Sequence, residues 1–135
     1  MNREIKFRGY VIEELTGSQW VTNGYGISKI EYVDNSPTDY ILLTPYGNYA
    51  VYKNSIGEYT NCEDINDVEI YEGDIVETTR ALNHIVGVVT MIKGCWYIQD
   101  GKDSYYRLIP RFGTVENKVI GNVFENKKIL EERYE

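Results

Sequence analysis

Alternation of apolar and polar residues begins close to the N-terminus of this chain. In residues 3–11, Ile5 and Phe7 fall on one face of an extended segment, and Lys6 and Arg8 fall on the other. Side chains of a strand point alternately to its two faces, so this period of two predicts a half-buried β-strand. The same alternation makes the basic residues the solvent-facing side of that strand.

Two hairpins are predicted further along the chain. The apolar runs 40–44 and 49–52 flank the loop 45–48, which contains proline, glycine and asparagine. Such residues suit a β-hairpin loop. Residues 85–92 are apolar at almost every position, and a Lys-Gly pair separates them from the apolar run 95–98. This pattern predicts a second hairpin whose first strand is covered on both faces.

Shorter patterns predict further elements. Residues 13–26 contain several turn signals and are interpreted as a loose hairpin or loop, and residues 80–84 as a loop. Residues 64–67 are suited to a tight turn. Additional strands are predicted at 30–33, 75–79, 105–112 and 119–124.

The C-terminus is the one place where a helix is expected. Asn126 can cap its first turn, and Leu130 and Tyr134 then share a face. Lysines at the start and glutamates at the end oppose the helix dipole, so this short helix needs to dock. Many short strands and one terminal helix predict a mainly β protein built on a small antiparallel barrel. The first half either extends that barrel or forms a second sheet against it.

Composition narrows the class of protein. The chain has 135 residues, the size of one ordinary domain, with 13 tyrosines that favour strands. Its formal net charge of −7 disfavours non-specific binding of nucleic acid. The densest basic group is Arg3, Lys6 and Arg8, interrupted by Glu4.

The cysteine spacing and the hydropathy of the chain were compared with those of metal sites, disulfide frameworks and membrane segments. Cys62 and Cys95 are far apart and lack the spacing of a zinc site or a disulfide framework, so two reduced thiols are expected. No apolar run suggests a signal peptide or a membrane span, and a cytoplasmic location without membrane contact is the expectation. No cofactor is expected.

Three segments together resemble the YopX family of bacteriophage and prophage proteins. They are REIKFR at residues 3–8, the segment 59–76 that ends in EIYEGDIV, and VIGNVFEN at residues 119–126. The resemblance implies an SH3-like antiparallel barrel, self-association, and a phage or prophage protein in the bacterial host cell. It implies no established activity. One domain over residues 1–135 is expected, with a β-rich N-terminal part at 1–57 and the barrel part with the terminal helix at 58–135.

The chain departs from the family pattern at three positions. Asn61 and Asp67 stand where glycines are usual, and these residue types tolerate positive φ better than other non-glycine residues. Lys127 replaces a frequent proline at the expected first helical position, which weakens the start of the helix.

Catalytic and metal chemistry find little support in the residues. His84 is the single histidine, which excludes a multi-histidine metal site within one chain. The acidic cluster at residues 63–69 lacks the ligand spacing of an EF-hand and is interpreted as a turn. Asp74 is interpreted as a carboxylate that bonds turn amides ahead of a strand.

Aromatic residues leave two kinds of binding function open. Arg3, Lys6, Arg8, Trp20 and Trp96 are the candidate interaction surface. The first hypothesis is a non-enzymatic, homo-oligomeric module that binds a phage or host protein through aromatic anchors. The alternative is an accessory protein that binds single-stranded nucleic acid in phage DNA metabolism.

Overall fold

Antiparallel strands dominate the computed structural model, which describes residues 3–80, 83–110 and 115–133. The described residues contain one short 3-10 turn, Lys53–Ser55, and one α-helix, α1, Lys127–Arg133. Their twelve strands are β1 Phe7–Tyr10, β2 Trp20–Gly24, β3 Gly26–Ile30, β4 Asp39–Thr44, β5 Gly47–Val51, β6 Gly57–Glu63, β7 Glu69–Tyr71, β8 Asp74–Arg80, β9 Asn83–Ile92, β10 Cys95–Asp100, β11 Ser104–Arg107 and β12 Glu116–Asn122. The mainly β fold predicted from the sequence is confirmed.

The chain folds as two compact units, Met1–Tyr59 (the N-terminal unit) and Thr60–Glu135 (the C-terminal unit). It passes from one to the other within β6. The sheet that contains β6 has the order β2-β1-β6-β7, and the other sheets have the orders β3-β4-β5 and β11-β10-β9-β8-β12. Within the described residues none of these sheets closes on itself, so the SH3-like barrel stays a prediction.

The N-terminal unit packs around a small apolar core. Val11, Leu42 and Val51 are fully buried, and Phe7 and Val21 pack against them. The predicted hairpin at 40–52 is confirmed as β4 and β5, with Thr44 paired to Gly47. The outer edge of β5 is covered, because Val51 pairs with Val11 and the backbone N–H of Ile12 donates to the carbonyl of Ala50.

The C-terminal unit buries side chains on both faces of its five-stranded sheet, because Ile75 and Val76 are both buried, as are Ile85 and Val86. Ile70, Val76, Ile85, Val89 and Ile98 form the core. Ile70 comes from β7, and the other four come from β8, β9 and β10 of this sheet. Burial of such residues is the dominant favourable contribution to folding.

The carboxylate of Asp64 joins distant parts of the C-terminal unit. Asp64 is 3% exposed. One of its oxygens accepts hydrogen bonds from the backbone N–H groups of Asn66 and Val68, at 2.8 and 2.9 Å. The other accepts one from Val119 at 3.0 Å, while the N–H of Ile65 donates to the carbonyl of Asn117. The predicted turn at 64–67 is therefore confirmed, and it also covers the edge of β12.

Several boundaries differ from the sequence prediction in the first half. The loose hairpin or loop expected at 13–26 includes the regular strand β2, and the strand expected at 30–33 is β3, which ends at Ile30. Gly24, within the segment interpreted as a loop, lies in β2 and has a packing role. A Cβ at Gly24 would lie 2.3 Å from Cδ1 of Leu42, so only glycine fits there.

Differences in the second half concern strand ends. Arg80 and His84, expected in a loop, lie in β8 and β9, because Thr79 pairs with His84. Residues 81–82 lie outside the described residues. The strand expected at 105–112 ends at Arg107, and its last positions, 111–112, are also outside them. The strand expected at 119–124 runs instead over Glu116–Asn122.

The short C-terminal helix is confirmed as α1, with seven residues. The side-chain oxygen of Asn126 accepts a hydrogen bond from the N–H of Asn122, upstream of the helix, at 3.1 Å. A Cβ at Gly121 would lie 2.8 Å from Cδ1 of Ile129, so the helix packs closely over β12. The expected position of Tyr134 lies outside the described residues.

We expect Asp64→Ala to lower the free energy of unfolding by about 3 kcal/mol or more, because three backbone N–H groups lose their acceptor. Asp64→Asn retains one acceptor oxygen and should lose less. Urea denaturation followed by fluorescence measures both changes. Exposed Glu63→Ala is the matched control and should change stability by less than about 0.5 kcal/mol. An Asp64→Ala variant as stable as this control would contradict the role of the carboxylate.

The turn between β9 and β10 allows a stabilising substitution. Lys93 and Gly94 have φ of 49° and 83°, and Ile92 pairs with Cys95 around them. Such a two-residue turn favours Asn-Gly, so Lys93→Asn should stabilise the protein by about 0.5–1 kcal/mol. Lys93→Ala removes the same charge without tolerating positive φ. Thermal unfolding should rank Lys93→Asn above the wild type, and equal gains in both variants would contradict the explanation.

Candidate interaction surface

The five residues predicted as an interaction surface belong to different units. Arg3, Lys6, Arg8 and Trp20 lie in the N-terminal unit. Trp96 lies in the C-terminal unit, where it is partly buried against the core. Four of the five residues therefore lie in one unit, where Arg8 contacts Trp20, and Trp96 has a packing role in the other.

Each of the three basic residues contacts a carboxylate or an aromatic ring. Arg3 lies 3.4 Å from a carboxylate oxygen of Glu58, and the ammonium of Lys6 lies 3.1 Å from Glu4. Lys6 is only 15% exposed. It lies over the ring of Tyr59, 4.8 Å from its centre. The sequence predicted that Lys6 faces solvent. Its low exposure and its contact with Tyr59 correct that prediction.

A second contact between a basic side chain and an aromatic ring occurs at Arg8. The guanidinium of Arg8 lies over the ring of Trp20 at 4.5 Å, and Tyr10 meets Trp20 edge-on at 5.4 Å. Tyr52 lies 6.1 Å from Tyr10. A cation over a ring is attracted to the negative charge of its face, so these contacts favour a fixed arrangement. They also cover ring surface that a nucleic-acid base would need for stacking.

A second surface of the N-terminal unit is more exposed and was missed by the sequence analysis. Ile5, Tyr25 and Tyr46 are 59%, 61% and 83% exposed. They line an open groove of about 350 Å³, which we call the tyrosine groove. Its lining is Glu4, Ile5, Lys6, Asn23, Gly24, Tyr25, Pro45 and Tyr46.

The two tyrosines of the groove had weak signals in the sequence. Tyr25 stands between two glycines, and Tyr46 lies in the loop of the predicted hairpin. Aromatic residues at such positions cannot enter a core easily, but their mutual proximity depends on pairing that the sequence does not show. Exposed aromatic groups of this kind are typical of protein interfaces.

Groups that could support catalysis are dispersed or engaged elsewhere. His84 lies 3.4 Å from Glu77, and their side chains are 55% and 40% exposed. The carboxylate of Asp74 accepts a hydrogen bond from the N–H of Tyr71 at 2.7 Å, which confirms its predicted role in the turn. In residues 3–80, 83–110 and 115–133, no three or more His, Cys, Asp or Glu side chains are grouped so that they could hold a metal ion.

The C-terminal unit has a separate shallow groove. Ile92, Tyr97, Gln99 and Tyr105 line a depression of about 420 Å³ on the sheet face opposite the core. Its walls are uncharged, but its four side chains offer no group that selects a particular ligand.

These features define a mainly β protein whose exposed aromatic groups suit binding. The sequence matches the YopX protein family over residues 6–131, and the chain belongs to that family. The departures at Asn61 and Asp67 agree with this assignment, because both residues have the positive φ that glycine would adopt, 64° and 62°.

No curated protein matches the chain. The crystal structure of protein EF1440 from Enterococcus faecalis is similar, with 20% sequence identity, a TM-score of 0.47, and coverage of 94% of this chain and 98% of that one. Across the part of the chain that the structure describes, no helix has the length and apolar character needed to cross a bilayer.

Burial of Cys62 leads to a test of its reactivity. Burial raises the pKa of the Cys62 thiol above its ordinary value of 9.0, and a hydrogen bond with Thr60 opposes this only in part. The neutral thiol is therefore favoured in the folded protein. The stability that this contributes is present below the ordinary pKa of the thiol, and it is lost as the pH rises through the higher pKa of the folded protein.

At mildly alkaline pH we expect iodoacetamide to alkylate Cys62 at least about tenfold more slowly in the folded protein than in urea. Mass spectrometry of digested protein measures the rate, and a Cys95→Ser variant isolates the Cys62 signal. Equal rates in the two conditions would show that the thiol is not protected.

Proposed function

We propose that this chain is a non-enzymatic, homo-oligomeric protein-interaction module of a phage or prophage, acting in the cytoplasm of the bacterial host. Membership of the YopX family supports the phage setting and the self-association. The tyrosine groove carries the proposal for protein contacts. The partners are a second copy of the chain and a phage or host protein.

The exposure of the groove is the physical reason. Ile5, Tyr25 and Tyr46 present large side chains to solvent on one side of a small unit. Removing such apolar surface from water stabilises an association by roughly 25 cal/mol per Å² before the costs of binding. Tyrosine also keeps a hydroxyl for hydrogen bonds at the border of an interface.

Binding of single-stranded nucleic acid has weaker support. Its strength depends on cations that can reach phosphates and on ring faces that can stack with bases. Arg3 and Lys6 contact carboxylates, and Arg8 occupies the face of Trp20. The net charge of −7 adds repulsion at long range.

Size-exclusion chromatography with light scattering tests the proposal. At micromolar concentrations we expect a mass above that of the 15.7 kDa monomer. The double variant Tyr25→Ser, Tyr46→Ser should weaken association at least about tenfold, because it removes the largest exposed rings of the groove. Tyr105→Ser is the control, because Tyr105 is an exposed tyrosine of the C-terminal unit.

A monomer across the whole micromolar range would contradict self-association. Fluorescence anisotropy with a labelled single-stranded oligonucleotide addresses the alternative. Salt-dependent binding that is lost in an Arg3→Ala, Arg8→Ala variant would favour nucleic-acid binding over the proposed function.

A further inference from the structure

The strand β3 is an edge of its sheet with little protection beyond the charge of Lys29. It lies at the end of the order β3-β4-β5, and its five residues pair with β4 in continuous register, with no bulge. Residues 26–28 carry no charge and no proline. Proteins normally protect a regular edge with charges, proline, bulges or a covering segment, because an edge strand can pair with another chain.

Two other sheet edges, those of β5 and β12, show such protection. At the opposite side of the same sheet, β5 is covered by the backbone around Val11. In the C-terminal unit, β12 is covered by the turn that Asp64 holds. Lys29 is the single charged residue of β3, and its ammonium lies 2.9 Å from Glu31. The contrast marks β3 as a strand suited to pairing.

Charge indicates which partner fits this edge. Residues 15–28 and 40–52 contain no charged side chain, although 26% of the chain is charged. These two stretches include β2, β5 and most of β3 and β4. Two copies with a net charge of −7 each repel one another over most approaches, and an uncharged region reduces that repulsion. A strongly charged partner would gain nothing from the same region.

Apolar side chains at the two ends of β3 complement each other in an antiparallel arrangement. Tyr25 precedes the strand, and Ile30, Tyr32 and Val33 lie at its other end, all of them exposed. When two copies of the strand pair about a twofold axis near Ser28, Tyr25 of one copy lies beside the Ile30 end of the other. These contacts add the apolar area that a five-residue edge lacks for a stable interface.

Resting on the proposed self-association, we propose that two copies of the chain pair antiparallel through β3. The two three-stranded sheets then form one continuous sheet across the interface. Each copy contributes the same edge to the interface. The contact is therefore closed, and no β3 edge remains exposed. Backbone hydrogen bonds supply the pairing, and Tyr25 with the tyrosine groove lies at its border.

Cysteine cross-linking tests the register. Ser28→Cys, in a background with Cys62→Ser and Cys95→Ser, should form a disulfide-linked dimer under mild oxidation, because the two sulfurs face each other near the axis. Ser104→Cys in the same background is the matched control in β11, another terminal strand. A dimer band from Ser28→Cys and none from Ser104→Cys is the expected result.

A charged edge provides the second measurement. Ser28→Lys should raise the dissociation constant of the dimer at least about tenfold, while Ser104→Lys should leave it unchanged. Circular dichroism and urea denaturation check that both variants remain folded. An oligomeric wild type with neither the cross-link nor the effect of Ser28→Lys would overturn pairing through β3 and leave self-association standing. A monomeric wild type would overturn both.

Discussion

The buried carboxylate of Asp64 is the interaction on which the C-terminal unit depends. It bonds amides of its own turn and the amide of Val119, 55 positions further along the chain. A carboxylate in an apolar interior is costly unless its oxygens are hydrogen-bonded, and here both are. The three bonds fix the turn after β6, and they hold β12 where its residues pair with β8. Polar chemistry thus sets the geometry within which the apolar core packs.

Local patterns in the sequence identified much of this fold. Alternation and turn residues predicted the hairpins of β4 with β5 and of β9 with β10, and tolerance of positive φ was expected at Asn61 and Asp67. The errors came from residues whose role is set by distant neighbours. Gly24 resembles a turn residue, but its role is to admit Leu42. The SH3-like barrel stays a prediction, because its closure requires pairing between distant strands, which local alternation does not encode.

The candidate surface was predicted less completely for the same reason. Arg8 and Trp20 were both among the candidate surface residues, and the structure places one over the other. The alternation that places Lys6 and Arg8 on one face was visible in the sequence. The carboxylates that contact Arg3 and Lys6 could not be assigned without the fold. Ile5, Tyr25 and Tyr46 come from three separate segments. Their grouping follows from strand pairing, so no short motif records it.

The distribution of tryptophan gives the molecule a built-in spectroscopic label for each unit. Trp20 lies under a guanidinium in the N-terminal unit, and Trp96 packs beside the apolar core of the C-terminal unit. The chain has two tryptophans, one in each unit. Replacing either by phenylalanine leaves a single indole, whose emission reports loss of structure in one unit. Cooperative and stepwise unfolding of the two units thereby become distinguishable without any attached dye.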